Sequence, residues 1–166
     1  MKKVILLAIL AGLAWWYVDH SRRMTEADVR TAYEADIDAT RRFDGEFLCA
    51  RMSDDFEGSE TSRQDGNELE EHFDKAGQCQ RIKRSIEAMQ QISVATGGRL
   101  ALHIDYEIRN IELSPDRKRA TVQSVSTAKL GDMTLARDRT TDHLIRRNGR
   151  ILSKASEARV WTYTPQ

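Results

Sequence analysis

From Leu100 onward the sequence keeps a period of two, and this limits the fold more than any other feature. Leu100, Leu102, Ile104, Tyr106 and Ile108 alternate with Ala101, His103, Asp105, Glu107 and Arg109. That is the pattern of a strand with one buried face. The phase slips between Ile108 and Ile111, which places a bulge near Asn110. Ser114-Pro115-Asp116-Arg117 reads as a turn. Residues 119–130 and 133–146 read as the next strands, with Gly131-Asp132 between them. Arg147-Asn148-Gly149-Arg150 is a hairpin signal, because Asn-Gly accepts positive φ. A last strand runs over 151–163. Consecutive strands joined by short turns give an antiparallel meander, and its apolar face needs a cover.

The cover lies upstream, where the grammar is helical. Thr25-Glu26-Ala27-Asp28 has the form of a helix start, with a threonine cap and acids near the positive helix end. Val29, Tyr33, Ile37 and Thr40 then form one stripe at spacings of four and three. Asp44-Gly45 punctuates the chain, and Phe47, Leu48 and Met52 predict a second short helix ending near Ser53. Residues 54–66 are polar and glycine-bearing and read as a loop, with at most a short edge strand near Phe56. Asn67-Glu68-Leu69-Glu70 looks like a further helix start. Leu69, Phe73, Ala76, Cys79, Ile82, Ile86, Met89 and Ile92 line one side of that helix, with a bend expected near Gly77 and an end at Gly97-Gly98. Helices first and strands afterwards mean α+β.

Ahead of this domain stands a separate segment. Lys2 and Lys3 precede an apolar run from Val4 to Val18, closed by Asp19. A basic start followed by an apolar core is the layout of an export signal. The processing candidate, Gly12-Leu13-Ala14, would leave Trp15-Trp16-Tyr17 at the new terminus. Read as an uncleaved anchor, the same aromatics mark a membrane–water interface and the two lysines snorkel at the other end. Residues 1–23 are therefore expected to be a signal-anchor or transmembrane helix, and 24–166 the domain. The run gives a helix of about 22 Å against a hydrocarbon core of about 30 Å. The expected location is the inner membrane, single-pass, with the domain in the periplasm. A secreted form after signal cleavage is the alternative.

The chain carries 26 basic and 26 acidic residues, so nothing suggests general attraction to nucleic acid. The balance is local: 54–71 is strongly acidic and 137–150 arginine-rich, which reads as two solvated faces or as a patch that orients a partner. Cys49 and Cys79 would be free and buried in a reducing compartment, whereas an even count in an oxidising one points to a bridge. His20, His72, His103 and His143 show no ligand spacing, so neither a metal nor a cofactor is expected.

Two stretches carry a resemblance. Phe47-Leu48-Cys49-Ala50-Arg51-Met52-Ser53-Asp54-Asp55-Phe56 is similar to a short helix running into an acid–acid–aromatic corner. Thr141-Asp142-His143-Leu144-Ile145-Arg146-Arg147-Asn148-Gly149-Arg150-Ile151 is similar to a polar strand, arginine-rich turn and following strand. Together with the order of elements, they make the chain from Thr25 to Tyr163 resemble the nuclear transport factor 2-like superfamily. This resemblance implies helices packed in the concave face of a curved, four-to-six-stranded antiparallel sheet, with a cone mouth that often holds a small molecule. In isomerase-type members a carboxylate just after the corner serves as the base, and that position falls near Glu60. The flanking Thr61-Ser62-Arg63 departs from the pattern of the enzymes.

No catalytic set stands out. Tyr33 and Tyr106 lie on apolar phases, either as core tyrosines or as hydroxyl donors lining the cone. His143 sits in a polar strand as an exposed or pH-sensitive contact. Glu60, Tyr33, Tyr106 and His143 are the weak catalytic candidates. The leading expectation is a membrane-tethered binding or scaffold domain for a partner protein or small apolar ligand. A homodimer through the sheet face is an added expectation. The alternative is an isomerase, dehydratase or cyclase that uses polar groups in the cone.

Overall fold

A computed structural model of the chain describes residues 2–20, 23–64, 67–97, 102–130 and 133–163. The elements are α1 (Lys2–His20), α2 (Glu26–Arg41), α3 (Gly45–Ala50), β1 (Met52–Gln64), β2 (Asn67–Asp74), α4 (Lys75–Ala95), β3 (Leu102–Leu113), β4 (Arg119–Leu130), β5 (Met133–Arg147) and β6 (Arg150–Thr162). The strands form one sheet in the order β2-β1-β6-β5-β4-β3.

The meander is present as the alternation predicts. The register of β3 against β4 shifts between Ile108 and Asn110, at the expected bulge. Asn148 and Gly149 take positive φ, 52° and 75°, and turn β5 into β6. At the start of α2, the Thr25 side chain accepts from the Asp28 amide at 3.1 Å while Asp28 accepts from the Thr25 amide at 2.9 Å. This reciprocal capping box satisfies two otherwise orphan donors.

Upstream of the meander three expectations need correction. First, 54–66 is not a loop: β1 is a full strand, pairing with β2 antiparallel and with β6 parallel. The sheet is therefore mixed rather than purely antiparallel. Second, 67–74 is a strand and not a helix start. The apolar stripe assigned to one bent helix belongs to two elements, and Leu69 is 59% exposed on β2. Asp74 is the true cap of α4, accepting from the Gly77 amide at 2.8 Å. Third, no helix among the described residues is long and apolar enough to cross a membrane. A spanning anchor at 1–23 is therefore not supported, because Asp19 cuts the apolar run short. α1 instead leaves its described aliphatic side chains and Trp15, Trp16 and Tyr17 exposed. The side chains of Lys2 and Lys3 lie outside the described residues.

Burial concentrates in two clusters. Met24, Val29, Ala120, Val122, Leu144 and Ile151 join α2 to the meander. Cys49, Met52 and Phe56, with Phe73, Cys79 and Ile82 against them, join α3 and α4 to β1 and β2. In the second cluster the Phe73 ring lies directly on Gly58, where an added β-carbon would overlap it. The cysteines are bridged, Cys49 on α3 to Cys79 on α4, with Cα atoms 5.1 Å apart.

Two outcomes follow. Reducing the Cys49–Cys79 bridge is expected to lower stability by about 3.5 kcal/mol in the chain-entropy account, read as a lower urea midpoint with reductant present. Gly58→Ala is expected to destabilise by about 1–3 kcal/mol through overpacking, read from the same unfolding curve with the bridge intact.

Candidate functional site

The pairing register sets which side chains face the helices. Asp142 stands opposite Ser156 across β5–β6, and Ser156 opposite Gly58 across β6–β1. Tyr106, Ser126 and Asp138 align across β3–β4–β5 on the same face. This concave face is unusually polar, and α2 lays Tyr33 and Asp36 over it.

Two cavities open between α2 and the sheet. The larger, about 540 Å³, is bordered by Ile37, Phe43, Met89, Ile104 and Tyr106 among others, with His103 at its rim. The smaller, about 190 Å³, is lined by Leu48, Met52, Phe56 and Ile82 together with Arg51, Gln78, Asp142 and Ser156. Both open to solvent, and Tyr33 and Asp36 border both, so they adjoin at this pair as a hollow of two parts, called mouth for the larger and chamber for the smaller.

At the junction the Tyr33 hydroxyl donates to Asp142 Oδ2 at 2.6 Å. The Tyr33 and Tyr106 rings stack with centroids 5.5 Å apart. Asp36 accepts from Arg51 Nε at 2.8 Å, and the Arg51 guanidinium also donates to the Ile151 carbonyl. Thus one arginine ties α2, α3 and β6 together at the chamber wall. Gln78 Oε1 is buried and has no hydrogen-bond partner among the described residues, and the buried Tyr106 hydroxyl lies near the Ser124 and Tyr33 hydroxyls without a well-formed bond to either. Unpaired buried polar atoms are costly. They are the groups a bound molecule would satisfy.

Burial raises the Asp142 carboxyl above the usual carboxylate range, and the nearby Asp36 adds to this, while Tyr33 and Ser156 pull the other way. Asp36 is also raised by burial, against the opposing pull of Arg51. Both phenols are pushed up, chiefly by burial. Burial thus shifts each of these groups toward its neutral form.

Of the residues singled out in the sequence, the hollow brings Tyr33 and Tyr106 together and leaves the other two out. Glu60 is on the concave side of β1 but borders neither cavity. Its carboxylate takes Arg81 Nη2 at 2.6 Å, and Arg81 Nη1 holds Glu71 at 2.6 Å. His143 projects from the opposite face of β5, exposed, with Nδ1 3.3 Å from Thr121 Oγ1. Asp142, Asp36, Arg51 and Gln78 were not foreseen as site residues. The available signals were phase: Asp142 shares the parity of buried Leu144, and Asp36 sits three residues after Tyr33 on α2. Among the described residues no three potential ligating side chains cluster as a metal site.

No family model matches the chain, and no curated protein does. Solved structures do. A protein of unknown function from Shewanella oneidensis, described as NTF-2 like, aligns with TM-score 0.57 at 12% identity, over 82% of this chain and 99% of its own. A conserved protein from Planctomyces limnophilus gives 0.56 at 17%, over 83% and 97%. A domain of unknown function from Nostoc punctiforme, described as having a cystatin-like fold, gives 0.55 at 15%, over 86% and 81%. At these identities the likeness shows the fold: an α+β, nuclear transport factor 2-like architecture.

Asp142 generates a signed pH prediction. An acid whose folded pKa is raised stabilises the fold fully only below its unfolded value, about 3.9. That contribution is lost as pH rises from there through the raised folded value. Asp142→Asn should therefore be more stable than the parent at neutral pH, with the difference shrinking to nothing as pH falls below about 4. Urea unfolding of both proteins across this range measures it.

Proposed function

We propose that this chain is a binding domain for a small, largely apolar molecule bearing at least one hydrogen-bonding group. The observation that carries the reading is the hollow of about 540 and 190 Å³ that meets at Tyr33 and Asp36. Apolar walls with a few converging polar groups are the usual composition of a small-molecule site. The unpartnered Gln78 oxygen, with the poorly bonded Tyr106 hydroxyl, supplies a place for a ligand's own polar group. Binding is favoured over turnover because Glu60, where isomerase-type relatives of the fold would carry their base, is occupied by Arg81. A second reading, an isomerase- or dehydratase-type enzyme, draws support from one feature, the Tyr33–Asp142 pair with its burial-raised carboxyl.

Tethering belongs to the same proposal. α1 exposes Leu7, Leu13, Trp15 and Tyr17 at 58–80%. An apolar helix of this kind needs a cover, and a lipid surface with interfacial tryptophan and tyrosine is the cover we infer. The bridged cysteines suit an oxidising compartment such as the periplasm.

Titration with a neutral apolar fluorophore, followed by competition with a library of small carbonyl compounds and alcohols, tests the binding reading. Saturable binding is expected, and Ser126→Trp, which fills the mouth, should abolish it while leaving the melting temperature within a few degrees. Equal binding by the parent and Ser126→Trp would refute the hollow as the site.

A further inference from the structure

The end of the domain from which α1 emerges is ringed by arginines. Two turns meet there, β3–β4 and β5–β6, joined by the Arg146 amide donating to the Lys118 carbonyl at 3.2 Å. The Met24 amide donates to the Arg117 carbonyl at 2.6 Å, and Arg146 Nη1 donates to the Arg23 carbonyl at 2.7 Å. Lys118 pairs with Asp19, on the last turn of α1, at 3.0 Å. The junction is thus pinned on three sides, and the base of α1 keeps a set position relative to both turns.

Charges at this end divide into used and unused. Arg23 and Lys118 are spent on Asp19, and Arg146 on Asp28. Arg117, Arg119, Arg147 and Arg150 are exposed, and none of them forms an ion pair among the described residues. Asp116 attracts Arg119 but is itself bonded within its own turn, accepting from the Ser114 hydroxyl and the Lys118 amide. Electrostatic attraction links Asp54 to Arg147, but Asp54 is itself bonded to Lys75 at 2.8 Å. Arginines around the base of an apolar helix whose last turns carry exposed aromatic residues match one chemistry, an anionic lipid headgroup layer. A nucleic acid would take the arginines but give the exposed Trp15, Trp16 and Tyr17 no apolar cover.

We propose that Arg117, Arg119, Arg147 and Arg150 form a collar that seats this end of the domain on an anionic membrane surface around the base of α1. This rests on the tether reading and adds to it a lipid class and an orientation. The α1 end faces the headgroups, and the hollow between α2 and the sheet stays on the domain side of the collar.

The full chain is mixed with vesicles of phosphatidylcholine alone, and of phosphatidylcholine with phosphatidylglycerol, and bound protein is measured by flotation. Each arginine near a charged surface contributes about fivefold in affinity. The parent is expected to bind the anionic vesicles roughly several hundredfold more tightly, with the preference falling as salt rises. The variant R117Q/R119Q/R147Q/R150Q, altered only at exposed positions and checked by its melting curve, should lose that preference and keep binding to neutral vesicles. Equal affinity for both vesicle types, or an unchanged preference in the variant, overturns the collar while leaving the tether intact. An arginine-dependent preference for duplex DNA over anionic vesicles also overturns it. Binding to neither vesicle overturns the tether reading and the collar together.

Discussion

One hydrogen bond across the concave face does most to set the distance between its two walls. Tyr33 on α2 donates to Asp142 on β5 across 109 residues of sequence. On one side of it lies the cluster around Val29 and Val122, and on the other the cluster around Met52 and Phe56. The chamber touches both, through Leu144 and through Met52 and Phe56. Apolar contact alone would draw such clusters together and fill the middle, since tight packing is the more stable solution. A polar pair at the junction, backed by Asp36 and Arg51, holds the walls apart and keeps a hollow of ligand size. Stability is given up there to keep the face open.

The wall opposite the meander shows how the same sheet face can be open in one part and closed in another. β1 carries Glu60 on the concave side, one β-bridge from Glu71 on β2. Two acids side by side would repel. Arg81 on α4 resolves this by bonding both, and it also lies over the Phe73 ring, 4.9 Å from the centroid. The guanidinium thereby locks α4 onto the β1–β2 ribbon, close to the Cys49–Cys79 bridge that locks it onto α3. This part of the sheet is closed by packing, and the cavities lie toward α2 and β3 to β6, with α4 and the start of β1 completing their walls.

How far these features could be read in advance depended on whether their signal was local. The meander was legible because alternation and the Asn148-Gly149 turn are properties of neighbouring residues. The strands β1 and β2 were not, because Asp54, Asp55, Glu57 and Gly58 carry no strand propensity of their own. Pairing with β6 on one side and with each other imposes that conformation from a distance. The stripe from Leu69 to Ile92 misled because a strand and a helix happened to present apolar residues in compatible steps. In the site, Tyr33 and Tyr106 declared themselves by lying on apolar phases. Asp142 did not, because a polar residue on a strand is ordinarily an outward one. His143 drew notice for its chemistry, yet parity puts it on the outer face and its neighbour Asp142 inside.

The hollow depends on Asp142 as a buried carboxyl, its pKa raised by burial, that holds Tyr33 at the edge of the chamber. Carbon-detected NMR titration of the Asp142 side-chain carboxyl tests this most directly, in the free protein and with a saturating apolar ligand. The account predicts a midpoint above the ordinary aspartate range in the free protein, and a further displacement of resonance and midpoint when ligand fills the chamber. An ordinary aspartate titration, unmoved by ligand, would contradict it.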